Sequence, residues 1–156
     1  MPQGHGNRGG EYAIAGPWCL TVAINIDLSG KTALITGATR GIGKAIAEKF
    51  IEAGATVFLT GTNEADIKQL TCTNKNPNVH WLQADFSTRQ GIDSFIAKLK
   101  CIDSIDICIN NAGINTIKPF EDCSKDEYER LLSVNLTAPV SLAQYLLIGM
   151  KERGFG

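Results

Sequence analysis

Short apolar runs alternate along this chain with longer segments whose apolar residues recur every three or four positions. The first run is Thr32 to Thr36, a strand pattern. Ile42, Ala45, Ile46, Phe50 and Ala53 then follow at helical spacing, up to Gly54, where glycine suits a left-handed cap. Thr56 to Thr60 predicts a second strand, and Glu64 to Leu70 a short helix. Thr71 to Asn78 is polar, contains Pro77 and predicts a loop. A third strand, Val79 to Ala84, runs into Asp85 and Phe86. Ser87 with Gln90 has capping-box spacing, and Ile92, Phe95, Ile96 and Leu99 form an amphipathic stripe. The fourth strand is Ile105 to Ile109. After a loop containing Pro119, Ser124 and Glu127 repeat the capping-box spacing ahead of one long helix, from about Lys125 to Met150.

Strands alternating with helices of this length specify βαβ units. With right-handed crossovers the strand order is 3-2-1-4, the first half of a Rossmann-type, doubly wound α/β sheet. Ligands of such sheets bind beyond the carboxyl ends of the strands. All the unusual short motifs of this sequence fall there: residues 37–43 after strand one, 61–62 after strand two, 85–86 after strand three and 110–113 after strand four.

The first of these motifs is Thr36-Gly37-Ala38-Thr39-Arg40-Gly41-Ile42-Gly43. Gly37 allows a tight strand-to-helix turn, Gly41 lets a pyrophosphate approach the main chain, and Gly43 lets the helix pack closely on the strand. The helix beyond points its free N–H groups and positive dipole end at the phosphates. An NAD-preferring site places an acid at the end of strand two. This chain has Gly61, Thr62 and Asn63 there, with no carboxylate before Glu64. Arg40 could pair with a 2′-phosphate through a charge-assisted fork, or be a solvated surface charge. The reading favoured is NADP(H), with NAD(H) as the alternative.

Composition narrows the classes further. The 156 residues suffice for one domain; 44% are apolar and 20% charged, as in ordinary globular proteins. A net charge of −1 gives no electrostatic reason to expect nucleic acid or an anionic membrane as partner. Five cysteines without a C-x-x-C pair, and only His5 and His80, predict neither a disulfide framework nor a metal centre. They suit a reduced, cytoplasmic chain, with Cys108 packed in the core. Residues 1–25 predict a loose N-terminal extension: the first ten hold four glycines, and the apolar stretch from Tyr12 is broken by Gly16-Pro17 and is too short to span a bilayer.

The Gly-x-x-x-Gly-x-Gly spacing, Asp85-Phe86 and Asn110-Asn111-Ala112-Gly113 together resemble the short-chain dehydrogenase/reductase family, from about Ile26 to the C-terminus. The resemblance implies that Asp85 and Phe86 flank the adenine, and that Asn111, Ala112 and Gly113 stabilise the sheet centre and line the cofactor path. Ser133-Val134-Asn135-Leu136 is similar to the family's helix region, where an asparagine carbonyl holds a water of the proton relay; this makes Asn135 the catalytic candidate. Pro139, lacking an N–H, leaves the Asn135 carbonyl without its helical partner and predicts a kink.

The family's catalytic Ser and Tyr-x-x-x-Lys pair have no counterpart here: Tyr128 is followed four positions on by Leu132, and Tyr145 by Gly149. The resemblance therefore implies the cofactor-binding half of an oxidoreductase acting on a carbonyl or alcohol, with a 3-oxoacyl thioester as the substrate to consider first. An intact version would be a homo-oligomer joined through the long helix. A half-sheet should expose the edge of strand four and leave Leu131, Leu132, Leu142, Leu146 and Leu147 short of packing partners, giving a weakly stable chain. The alternatives are an inactive nucleotide-binding or interaction module, or a non-functional truncated product.

Overall fold

A computed structural model describes residues 26–156, so the expected N-terminal extension lies outside the described residues. The strands are β1 (Thr32–Ile35), β2 (Thr56–Gly61), β3 (Val79–Gln83) and β4 (Ile107–Ile109), all parallel, in the order β3-β2-β1-β4. The sheet order and α/β class are those the alternation of patterns predicts. Helices α1 (Gly41–Glu52), α2 (Glu64–Thr73), α3 (Arg89–Leu99), α4 (Lys125–Leu132) and α5 (Ala138–Arg153) cover it.

The sheet is buried on both faces, which explains why its central strand is apolar without alternation. Ala33, Leu34 and Ile35 are each fully buried. Leu34 points to one layer with Phe95 and Leu99 of α3 and Leu142 and Leu146 of α5. Ala33 and Ile35 point to the other, with Val57, Leu59 and Ala47 of α1. Burial of such side chains contributes roughly 1.5–3 kcal/mol each.

Helix α1 packs through only part of the expected stripe: Ile46 and Phe50 lie against the core, half-buried. Gly43 and Ala47 are its buried residues, while Ala45 faces outward and Ile42 is 75% exposed. Ile42 lies in the first turn of α1. Helix α2 runs three residues beyond the expected end, because the hydroxyls of Thr71 and Thr73 donate to the carbonyls of Ile67 and Gln69 within the helix. Asn74 then closes the turn by donating to the carbonyl of Val79, 2.7 Å away. The cap of α3 is Thr88, whose hydroxyl accepts the N–H of Gly91 at 3.1 Å, and not Ser87. Ser87 is otherwise engaged: its N–H donates to the carboxylate of Asp85.

At α4 the capping box forms as expected, with Ser124 accepting from the N–H of Glu127 and Glu127 accepting from that of Ser124. Lys118 also donates to Glu127, and this bond, ahead of those from Ser124, holds the glutamate down at about 2. The long helix is not uniform. Between α4 and α5 the backbone makes a π-helical turn over Ser133–Thr137, with the N–H of Ala138 donating five residues back to Ser133. Pro139 removes an i→i−4 donor, and the chain absorbs the loss by widening a turn at the place where the kink was expected.

By length and composition alone, the helical run Lys125–Arg153 could cross a membrane, its 18-residue apolar window having a mean hydropathy of 1.5. Here it packs on the sheet through Val134, Ala138, Leu142, Leu146 and Met150. Its opposite side leaves Leu132, Leu136, Val140 and Leu147 exposed.

Cys108 on β4 is half-buried, and burial pushes its thiol up to about 11. Since the thiolate is the nucleophile, Cys108 should stay unmodified by iodoacetamide at pH 8 while the exposed Cys72 and Cys101 react. Peptide mapping by mass spectrometry checks this; rapid labelling of Cys108 in the folded chain would contradict its placement.

Candidate functional site

The carboxyl ends of β1, β2 and β4 are drawn together by two threonines and one asparagine. Thr36, 2% exposed, accepts the N–H groups of Asn111 at 3.0 Å and Ala112 at 2.9 Å, and donates to the carbonyl of Ile109. The side-chain amide of Asn111 donates in return to the carbonyls of Thr36 and Gly37, at 2.9 and 3.0 Å. On the other side the hydroxyl of Thr60 accepts the N–H of Gly37 at 3.1 Å. The result is a floor built of main chain.

The glycines are fitted to that floor. Gly37 has φ +65°, and a Cβ on it would come within 2.9 Å of the Cα of Ala112. A Cβ on Gly43 would run into the carbonyl of Gly37 and the amide of Asn111. Helix α1 begins directly above. Its N-cap is Arg40, which makes no side-chain capping bond, so the first N–H groups of a 12-residue helix have no cap competing with a ligand.

These strand ends enclose a cleft of about 260 Å³. Of the residues singled out from the sequence, Gly37, Thr39, Arg40, Thr62, Asp85, Phe86, Asn111, Ala112 and Gly113 line it. Gly41, Ile42 and Gly43 do not; they form the start of α1, and Gly43 supports the floor from behind. Asn135 is also outside the lining. Its side chain accepts the N–H of Ile114 and donates to the carbonyl of Ile114, each at 2.9 Å, and so clamps the segment that follows Gly113.

Phe86 lines the cleft but is 4% exposed, and its ring packs edge-on against Phe95 with centroids 5.3 Å apart. Its ring packs in the core, while Phe86 still borders the cleft beside Asp85. Asp85 is exposed, and the N–H and hydroxyl of Ser87, followed by the charge of Arg130, hold its carboxyl below the usual carboxylate range. Ser87, Val134 and Arg130 line the cleft without having been singled out. Arg130 carried no signal in the sequence, being one charge among several on the polar side of α4. The hydroxyl of Ser133 donates to the carbonyl of Phe86 at 2.7 Å, which ties that end of α4 to the turn after β3.

A family model described as short chain dehydrogenase matches residues 31–156. The chain belongs to the short-chain dehydrogenase/reductase family. It is 37% identical over 137 residues to the 3-oxoacyl-acyl-carrier-protein reductase of Aquifex aeolicus, a match covering 85% of this chain and 55% of that protein. It is 36% identical to an NADP-dependent (R)-specific alcohol dehydrogenase of Lentilactobacillus kefiri, covering 83% and 52%. Among solved structures it is similar to L-sorbose reductase of Gluconobacter frateurii, complexed with NADPH and L-sorbose. The TM-score is 0.74 at 29% identity, covering 84% of this chain and 51% of that one. The chain thus spans about half the length of the relatives it matches, which include NADP- and NAD-dependent enzymes.

Proposed function

We propose that this chain forms the cofactor-binding part of an NADP(H)-dependent oxidoreductase that interconverts a carbonyl and an alcohol. The observation carrying this reading is the combination of a main-chain floor, an α1 N-terminus that no side chain caps, and a free arginine beside both. The glycine-supported turn admits a pyrophosphate, and the N–H groups of α1 attract its charge. Arg40 makes no salt bridge among the described residues, and the end of β2 offers Gly61 and Thr62 where an acid would repel a 2′-phosphate. When bound, NADPH supplies the hydride. Asn135 holds the wall beyond Gly113, and its carbonyl, which Pro139 cannot cap, is the group we assign to a water of the proton relay.

The substrate we favour is a small carbonyl compound, with a 3-oxoacyl thioester as the first to try, supported by the resemblance to the Aquifex reductase. The compartment is cytoplasmic, in keeping with free cysteines, and the exposed stripe of Leu136, Val140 and Leu147 suits a homo-oligomer. A second reading has one specific observation in its favour: no tyrosine in the 156 residues has a lysine four positions on. Such a chain would bind nucleotide without turnover by itself.

Calorimetric titration with NADPH and NADH tests the reading. Wild type should prefer NADPH, and Arg40→Ala should weaken NADPH binding about 10- to 100-fold, the range of a lost charge-assisted contact, while leaving NADH within about twofold. Equal losses for both nucleotides would remove Arg40 from 2′-phosphate recognition. Absence of binding to either would overturn the cofactor reading.

A further inference from the structure

We propose that Thr39 and Gly61 act as one specificity-determining pair, in which the Thr39 methyl group occupies the volume that a side chain at position 61 would need. Its bearing on cofactor choice rests on the nucleotide reading above; the steric exclusion itself does not. A Cβ on Gly61 would stand 2.5 Å from Cγ2 of Thr39 and 3.0 Å from Cδ1 of Ile67. The backbone does not ask for glycine here, since Gly61 ends β2 and is not among the glycines with positive φ. The neighbours ask for it, and the nearer of them is Thr39.

The main chain around this contact is held from both sides. The turn that carries Thr39 is tied to β2, because the N–H of Ala38 donates to the carbonyl of Thr60 at 2.9 Å and that of Gly37 to the Thr60 hydroxyl at 3.1 Å. Gly61 is fixed on its other side, where its carbonyl accepts the N–H of Ala84 at 2.9 Å. Ile67 is 6% exposed in the first turn of α2, and its N–H donates to the carbonyl of Asn63, the cap of that helix. Ile67 meets the added Cβ at the looser distance and with the far end of a longer side chain, so it can yield. Threonine branches at Cβ and is stiff at χ1, so its methyl is the group that must go before position 61 can carry a side chain. Both residues border the cleft. A carboxylate at the end of β2 would accept from ribose hydroxyls, and introduced at 61 alone it would have no room to stand there.

The test is a double-mutant cycle on the 156-residue chain. Wild type, Thr39→Ser, Gly61→Ala and the double variant are compared by melting temperature. Gly61→Asp, with and without Thr39→Ser, is compared by calorimetry with NADPH and NADH. Serine keeps the hydroxyl and removes only the methyl. Gly61→Ala should lower the melting temperature by about 5 °C, as overpacking does. The same change in the Thr39→Ser background should lower it by less than about half as much, the mark of two residues in contact. Gly61→Asp alone should lose NADPH without gaining NADH. Adding Thr39→Ser should raise NADH affinity about tenfold over Gly61→Asp, the size of a coupling between touching residues, and invert the preference of wild type. Additive melting shifts, Gly61→Ala melting as wild type does, or NADH affinities of the two aspartate variants within about twofold of each other would each overturn the proposal. The alanine variants keep the pair testable should the aspartate variants fail to fold. If wild type bound neither dinucleotide, the cofactor reading itself would fall, while the melting cycle would still decide whether Thr39 and Gly61 exclude each other's side chains.

Discussion

Gly43→Ala should abolish NADPH binding and lower the melting temperature by about 10 °C. One methyl group causes both effects, because its place is already taken by the Gly37 carbonyl and the Asn111 amide. Neither neighbour is the free end of a flexible side chain. The carbonyl belongs to the turn that leaves β1, and the amide bridges that turn to β4 through its bonds to Thr36 and Gly37. Making room means moving the floor of the cleft. Overpacking of this kind costs roughly 1–3 kcal/mol, and weakening the two amide bonds adds about 1 kcal/mol each. For a domain of this size a loss near 3 kcal/mol corresponds to the stated melting shift of about 10 °C.

Gly41→Ala separates crowding from backbone strain. Gly41 has φ +57° with open space where its Cβ would stand. Alanine there meets only the left-handed penalty of about 1–2 kcal/mol, and Gly41→Asn should recover part of it. Differential scanning calorimetry and NADPH titration of the three variants decide the matter. Gly43→Ala binding NADPH as wild type does would mean that the floor yields easily and that the close approach is not what shapes the site.

The two glycines also show what kind of information the sequence carried. Spacing located the turn, the helix and the position of the floor, because those follow from local backbone needs that glycine alone meets. Strand order was legible for a related reason: right-handed crossovers leave few arrangements for four parallel strands. What was not legible depends on contacts between distant segments. Ile42 has the spacing of a core residue, yet nothing packs over it in the first turn of α1. Asp85 and Phe86 both border the cleft, but nothing in their spacing shows that the Phe86 ring packs edge-on against Phe95. The cap of α3 moved to Thr88 because Asp85 claims the N–H of Ser87. Arg130 is the clearest case. Only the packing of α4 against the turn after β3, through Ser133, brings this otherwise ordinary helix charge to the site.

Thr36→Val should be the second most damaging change, although the two side chains have nearly the same shape. The hydroxyl of Thr36 accepts from two consecutive main-chain N–H groups, those of Asn111 and Ala112, and donates to the carbonyl of Ile109. Valine fills the space and leaves the Ala112 N–H without this partner, whereas the Asn111 N–H and the Ile109 carbonyl keep their 3.1 Å bond to each other. A donor left unpaired away from water costs about 1–3 kcal/mol, so the variant should lose about 2 kcal/mol in urea unfolding with little change in the slope. NADPH affinity should fall further than stability alone requires, because Asn111 to Gly113 line the cleft and their position depends on those bonds. Thr36→Ser keeps the hydroxyl and removes only a methyl, so it should retain most of the binding and lose about 1 kcal/mol. A valine variant within 1 kcal/mol of wild type would show that the strand end stays closed without the hydroxyl. The ranking of valine below serine is the stronger test, since burial of apolar surface alone predicts the reverse order.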